Sequence, residues 1–105
     1  MVHHLVLFRF RDDLPPEAIP ALFAELRALQ ERIPGITGFS GGVDGSREGL
    51  TRGFTHGVHM TFVDAAARDA YLPHPEHQRV VERLLPLLEG GLDGALTFDF
   101  EDGVV

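Results

Sequence analysis

The chain has 105 residues, a formal net charge of −7 and no cysteine. This length suits one small domain. The acidic balance argues against nucleic acid and anionic membranes as partners, since both attract a basic face. The missing thiols exclude disulfides, thiolate catalysis and cysteine-ligated zinc. No apolar run approaches the length of a membrane span, and the start MVHHLVLFRFRDD is too short for a signal peptide, so we expect a cytoplasmic protein.

Residues 3–11 alternate in a way that predicts a strand with two apolar faces. The phenylalanine-rich face carries His4, Val6, Phe8 and Phe10, and the leucine-rich face carries His3, Leu5, Leu7 and Arg9. Because both faces are apolar, both need to be covered by other parts of the protein.

A helix is predicted to follow, because DDLPP at 12–16 ends the strand and apolar residues then recur at helical spacing until Pro34-Gly35. The apolar stripe consists of Ile19, Leu22, Phe23, Leu26 and Ile33. Residues 36–43 form a weaker predicted strand. The glycine-containing segment 44–53 is predicted to be a loop, since it lacks the phosphate-loop, dinucleotide and EF-hand patterns.

The second half of the chain begins with a clear predicted strand at residues 54–63. One of its faces carries Phe54, His56, Val58, Met60 and Phe62. A short helix at 64–71 has Asp64 as its N-cap, and the prolines of LPHP separate it from a longer helix at 76–89. Residues 95–101 form the last predicted strand. One of its faces carries Leu96, Phe98 and Phe100.

The order β-α-β-β-α-β is typical of the ferredoxin-like α+β fold, an antiparallel sheet with both helices on one face. The other face, which carries Leu5 and Leu7, is then left without helices. Since soluble proteins avoid exposing such a patch, the pattern predicts a homodimer in which a second copy covers it. His3 and His59 are expected to pack in that interface.

Six histidines are an enrichment in a chain of this length, and histidine titrates near neutral pH. His4 and His56 lie on the phenylalanine-rich faces of neighbouring predicted strands. His77 is in phase with the apolar stripe of its helix and should face the same side of the sheet, with His74 just before it. A single histidine on an apolar face is often a hydrogen-bonded core residue, but three buried imidazoles are costly without partners. We therefore predict that His4, His56 and His77 converge on one pocket.

Tyr71, the only tyrosine, ends the short helix six residues before His77. The proline break between them can fold the tyrosine hydroxyl back to hydrogen-bond one nitrogen of the imidazole. No acidic residue is expected on the pocket face, so burial should lower the pKa of His77. No carboxylate is placed to complete a histidine metal site, and HPEH lacks the HExxH spacing. We therefore expect neither a metal ion nor an organic cofactor.

The segments HHLVLFRF, RGFTHGVHMTF, DAYLPHPEHQRVV and LTFDFE resemble the stress-responsive A/B barrel proteins, also called dimeric α+β barrel (Dabb) domains. The resemblance covers nearly the whole chain. It implies a single Dabb domain at residues 1–105, with a ferredoxin-like fold and two sheets paired into a barrel.

One branch of this family, the olivetolic acid cyclase-like polyketide cyclases of plants, closes a linear polyketide by aldol condensation without a cofactor, using a Tyr–His pair. Through the match to Y-x-x-HP-x-H, the resemblance implies that Tyr71 and His77 are the catalytic pair. It also implies that His4 and His56 support the ligand and that His74 is the ligand-binding histidine before the proline.

Two functions are consistent with these residues. In the first, an enzyme of the cyclase or lyase type, His77 acts as general base on an acidic C–H beside a carbonyl and is held by Tyr71. In the second, a non-catalytic stress-response or ligand-binding dimer, the histidines are structural. An apolar cavity beside His77 that admits a small apolar or polyketide-like ligand favours the first function. A filled core with every histidine bonded to protein favours the second.

Overall fold

A computed structural model describes residues 1–103, which form four strands and three helices. The elements are β1 (Val2–Phe8), α1 (Ala18–Arg32), β2 (Ile36–Val43), β3 (His56–Phe62), α2 (Ala65–Tyr71), α3 (Pro75–Leu84) and β4 (Ala95–Glu101). The predicted order of strands and helices is confirmed. None of the helices found in this range combines the length and apolarity that crossing a bilayer requires.

The sheet is antiparallel with the strand order β2-β3-β1-β4, which is the ferredoxin-like arrangement. Its central strands alternate as predicted. The buried side chains on the helix-facing side are Val2, His4, Phe8, Val58, Met60 and Phe62. The core between this face and the helices includes Leu22, Leu26 and Leu29 of α1 and Val80 of α3. Leu29, which is fully buried, extends the predicted stripe of α1.

Two boundary residues explain how β2 and α2 meet. Asp64 is the N-cap of α2, as predicted, because its carboxylate accepts the backbone N–H of Ala67 at 2.8 Å. Gly35, just after α1, has a φ of +93°, and a Cβ added there would lie 2.5 Å from the Cβ of Ala67. Only glycine fits this conformation and this approach. The carbonyl of Gly35 also accepts the N–H of Val63 at 2.9 Å, which ties the start of β2 to the end of β3.

The last helix ends earlier than the sequence pattern predicts. Helix α3 stops at Leu84 instead of continuing to residue 89, and Leu85–Leu87 form a single 3₁₀ turn. Pro86 explains the break, because it has no N–H to donate to the helix and its ring crowds the preceding turn. After this turn the chain folds inward, and Leu88 is buried in the core in an isolated bridge with Phe10.

The face of the sheet turned away from the helices, here called the open sheet face, is apolar and is not covered by any other part of residues 1–103. Phe98 is 62% exposed, and Leu96 and Phe100 of the same strand are also exposed. In the pairing of β1 with β4, Leu5 lies opposite Phe98 and Leu7 opposite Leu96. This is the leucine-rich surface that the alternation of β1 predicts.

Candidate functional site

A cavity of about 180 Å³ lies between the helix-facing side of the sheet and helix α3. Its polar lining comes from His4, Tyr71, His77 and Thr97. The apolar lining includes Val6, Phe8, Leu26, Val58, Met60, Val80, Val81, Leu84, Leu85 and Leu88. Sites for drug-sized ligands enclose roughly 300–1,000 Å³, so this cavity suits a smaller molecule.

His77 stands in the first turn of α3 and lines this cavity. Its Nδ1 donates to the carbonyl oxygen of Leu72 at 2.9 Å, so the ring proton lies on Nδ1. This bond from Nδ1 is the hydrogen bond that the ring makes within residues 1–103, and Nε2 makes none there. Burial lowers the pKa of His77; the bond to Leu72 opposes this effect, and the nearby His4 and His74 add to it. The ring is therefore neutral near pH 7, with a free lone pair on Nε2.

Tyr71 packs against His77 but does not hydrogen-bond to it. The two ring centroids are 4.1 Å apart, and the tyrosine hydroxyl donates to Sδ of Met60 at 3.6 Å. The predicted bond from the hydroxyl to the imidazole is therefore wrong. Helix α2 ends here, and the carbonyl of Leu72, left without a partner in the helix, accepts the ring N–H instead. Burial raises the pKa of the Tyr71 hydroxyl, so it keeps its proton and remains a donor.

His4 lines the cavity from the sheet and is only 6% exposed. Its ring centroid lies 6.0 Å from that of Tyr71, so the tyrosine ring is close to both imidazoles. Nδ1 of His4 donates to Oδ1 of Asp99 at 2.6 Å, and Oδ2 of Asp99 accepts from Nη1 of Arg68 at 2.8 Å. The expectation that no acidic residue lies on the pocket face is therefore wrong.

The sequence contains a signal for Asp99 but none for Arg68. Phe98 and Phe100 face the open side of the sheet, so the residue between them faces the helices. The antiparallel pairing of β1 with β4 then sets Asp99 opposite His4. Arg68 reaches the same carboxylate from helix α2, and its position depends on how that helix packs, which no local pattern encodes.

His56 does not line the cavity, although it lies on the same face of the sheet as His4. In the pairing of β1 with β3, His4 is opposite Met60, whereas His56 is opposite Phe8. This offset corresponds to about 13 Å along the strands at ~3.3 Å per residue. His56 packs instead against the ring of Phe10, with centroids 5.1 Å apart, and burial lowers its pKa. The predicted convergence therefore holds for His4 and His77 and is wrong for His56.

His74 also lies outside the cavity lining. It is the N-cap of α3, and its Nδ1 accepts the N–H of Glu76 at 3.1 Å while Pro75 occupies the first helical position. His74 thereby shapes the turn that carries His77. Within residues 1–103, no group of three or more histidine and acidic side chains is arranged to hold a metal ion.

The remaining two histidines lie on the open sheet face. Nδ1 of His3 is 2.9 Å from Nε2 of His59, and Nε2 of His3 is 2.5 Å from Oδ1 of Asp102. The His3 ring also stacks on Phe100, with centroids 4.6 Å apart. Their packing against a second copy of the chain remains a prediction.

Comparisons with known proteins give consistent matches that cover most or nearly all of the chain. The family model described as Stress responsive A/B Barrel Domain (Dabb) matches residues 2–102. The chain is 33% identical to a stress-response A/B barrel domain-containing protein of Arabidopsis thaliana, over 95% of this chain and 88% of that protein. It is 28% identical to olivetolic acid cyclase of Cannabis sativa, over 72% of this chain and 75% of the cyclase. A solved structure of a dimeric ferredoxin-like protein of unknown function from a Jannaschia species is similar with a TM-score of 0.86 and 34% identity, covering 95% of this chain and 97% of that one.

Proposed function

Because the chain belongs to the stress-responsive A/B barrel domain family, we propose that its cavity binds a small carbonyl compound and that His77 removes a proton from the carbon beside the carbonyl group. The reaction class is cofactor-independent proton transfer, of the kind that an aldol cyclisation requires. The relative named olivetolic acid cyclase supports this class of reaction, although it does not identify the substrate of this chain.

The observation that carries the proposal is the free Nε2 of His77 in an apolar cavity. A general base has to be unprotonated at the working pH and has to reach the proton that it removes. The lowered pKa of His77 meets the first condition, and its position in the cavity lining supports the second. Proton transfer by a well-placed side chain contributes about 10²–10⁴ in rate.

Tyr71 is the proposed donor to the carbonyl oxygen of the substrate. Its hydroxyl donates to the thioether of Met60, and a thioether is a weak acceptor. A carbonyl oxygen is a better acceptor, so a bound substrate can take over this hydrogen bond. Because its pKa is raised, the hydroxyl keeps its proton and polarises the carbonyl without being consumed.

The size and lining of the cavity limit the substrate. A volume of about 180 Å³ with mostly apolar walls favours a single ring or a short acyl chain over a long polyketide. The polar groups cluster at His4, Tyr71 and His77, so the carbonyl end of the substrate is expected to bind there.

The proposed functional unit is a homodimer formed through the open sheet face. Leu7 and Phe98 are exposed on this face in the single chain, and burying them stabilises association through the hydrophobic effect. The description of the Jannaschia protein as dimeric supports the same assembly.

A nitro-substituted benzisoxazole tests for a base in the cavity. Removal of its ring C–H proton breaks the N–O bond and yields a nitrile and a coloured nitrophenolate, with no cofactor. We expect the wild-type protein to accelerate this reaction and His77→Ala to lose about 100-fold or more of the acceleration.

His56→Ala is the matched control for this experiment. His56 is also a partly buried histidine with a lowered pKa on the same side of the sheet, but it lies outside the cavity lining. We expect His56→Ala to react at the wild-type rate. Equal losses in the two variants, or no acceleration by the wild-type protein, would contradict the proposal.

The second candidate function is a dimer that binds a ligand without turning it over. One observation favours it: His4 and His77 each already hydrogen-bond to protein through Nδ1, as structural histidines do. In that case His77→Ala lowers the Tm and leaves the calorimetric affinity for the nitrobenzisoxazole unchanged. Under the catalytic proposal, the fold is retained and turnover is lost.

A further inference from the structure

We infer that Arg68 and Asp99 are positioning residues that hold His4 as a proton donor to the substrate oxygen in the cavity where His77 acts as base. This inference rests on the proposed function, because it assigns a role to a second imidazole of the same cavity. It concerns three side chains linked by hydrogen bonds from helix α2 through β4 to β1.

The hydrogen bond to the carboxylate of Asp99 determines which nitrogen of His4 is left for a ligand. An ionised carboxylate only accepts hydrogen bonds, so the neutral His4 ring carries its proton on Nδ1 and donates it to Oδ1. Nδ1 is the ring atom that bonds to another side chain within residues 1–103, so Nε2 is left for a ligand, and the ring lines the cavity. Arg68 occupies the other oxygen of Asp99 and so holds the carboxylate in place. The side chains of Arg68 and Asp99 are 24% and 25% exposed, so both are largely shielded from competing water.

The two cavity imidazoles differ in the charge of the group behind them. Nδ1 of His77 donates to a neutral backbone carbonyl, whereas Nδ1 of His4 donates to a carboxylate. A carboxylate in this position stabilises the imidazolium that exists while Nε2 holds a proton. A positive charge on His4 also lowers the pKa of His77, which opposes protonation of both rings at once. The arrangement therefore places a group that stabilises a positive charge behind His4 and a neutral group behind His77.

The proton balance of the step follows from this division. Nε2 of His77 takes the proton from the carbon beside the carbonyl, and the C–H electron pair becomes the carbon–carbon double bond. The carbonyl π electrons move to the oxygen, which receives the proton from Nε2 of His4 and becomes an enol hydroxyl. Tyr71, whose ring lies close to both imidazoles, orients the oxygen during the transfer. The reverse transfers restore both histidines when the product forms.

Two benzisoxazoles with different leaving groups test whether His4 donates a proton. The unsubstituted compound leaves as a more basic phenolate than the nitro compound and needs more help from a proton donor. We expect Asp99→Asn to lower the rate of reaction of the unsubstituted compound at least about tenfold. The rate for the nitro compound should fall less than about twofold. Arg68→Met should show the same selective loss.

Asp69→Asn is the matched control, because it removes the other carboxylate that binds Arg68 at 2.8 Å without touching Asp99. It should change neither reaction. A loss of equal size for both compounds in Asp99→Asn, or no loss for either, would overturn the assignment of His4 as donor.

The tautomer of His4 provides a measurement that does not require turnover. In protein labelled with ¹⁵N-histidine, NMR should show the neutral His4 ring protonated on Nδ1, and Asp99→Ala should shift it toward the Nε2-protonated form. His77 should stay protonated on Nδ1 in both proteins, because its partner is the carbonyl of Leu72. A wild-type His4 protonated on Nε2 would overturn the positioning role. If the wild-type protein accelerates the reaction of neither benzisoxazole, that result counts against the proposed function alone.

Discussion

Filling the cavity from helix α3 tests whether its space is kept for a ligand. Val81 is partly buried and lines the cavity, so Val81→Phe places a ring where the carbonyl compound is proposed to bind. We expect this variant to be more stable than the wild-type protein and to have lost its activity toward the nitrobenzisoxazole. A gain in stability with a loss of function is the behaviour of a site that is left open at an energetic cost.

The size of the effect follows from the cavity volume. An empty apolar cavity destabilises a protein by about 24 cal/mol per Å³. For about 180 Å³ the upper limit is therefore about 4 kcal/mol. The added ring fills only part of the space, and contacts with the walls cost about 1–3 kcal/mol. We expect a net gain of about 1 kcal/mol, which corresponds to a rise in Tm of about 4–8 °C.

Scanning calorimetry at a fixed protomer concentration measures this shift, because the stability of a dimer depends on concentration. The matched control is Val63→Phe, which adds the same atoms at a side chain that is 56% exposed and outside the cavity. It should leave both Tm and turnover unchanged. Full turnover in Val81→Phe would show that the cavity does not hold the substrate. A fall in its Tm would show that the cavity has no free space for the added ring.

Two further predictions concern the dimer and the pH dependence of stability. Leu7→Asp should give monomers in light scattering at micromolar concentration, because an unpaired carboxylate buried in the interface costs several kcal/mol. The control Leu50→Asp, at an exposed loop position, should remain dimeric. A dimeric Leu7→Asp variant would contradict the proposed interface. Because the folded pKa of His77 is lowered, its stabilising contribution is complete above the unfolded value of about 6.5 and is lost as the pH falls through the folded pKa. His77→Gln should therefore reduce the fall in Tm between about pH 7 and pH 5. The fall in Tm that remains includes the contribution of His56, whose pKa is also lowered. An unchanged slope in His77→Gln would refute this linkage.

The strands and their faces could be predicted because local patterns determine them and packing does not override these patterns. Alternation identifies β4 at residues 95–101 and both faces of β1. The side chain of Asp64 caps α2 as predicted, since capping needs only the neighbouring backbone. The predicted end of α3 at residue 89 was wrong, although Pro86 is a local signal in the sequence for the earlier end.

The chemistry of the cavity depends on strand register and helix packing, which local patterns leave open. His4 and His56 share a face of the sheet, but the pairing of β1 with β3 sets them at different positions along it. The partner of His77 is the backbone carbonyl of Leu72 at 2.9 Å, and the hydroxyl of Tyr71 donates to Met60 instead. Alternation along β4 is enough to put Asp99 on the helix-facing side, whereas its position opposite His4 depends on the strand register and the approach of Arg68 on helix packing.

The pH dependence of nitrobenzisoxazole turnover tests most directly the claim that neutral His77 removes a proton in the cavity. Burial lowers the pKa of this group from its ordinary value of 6.5. We predict that kcat/KM rises with pH through one ionisation below that value and is level above it, and that His77→Ala abolishes this ionisation together with the rate. Turnover by His77→Ala at the wild-type rate, or an ionisation above the ordinary histidine value, would contradict the claim.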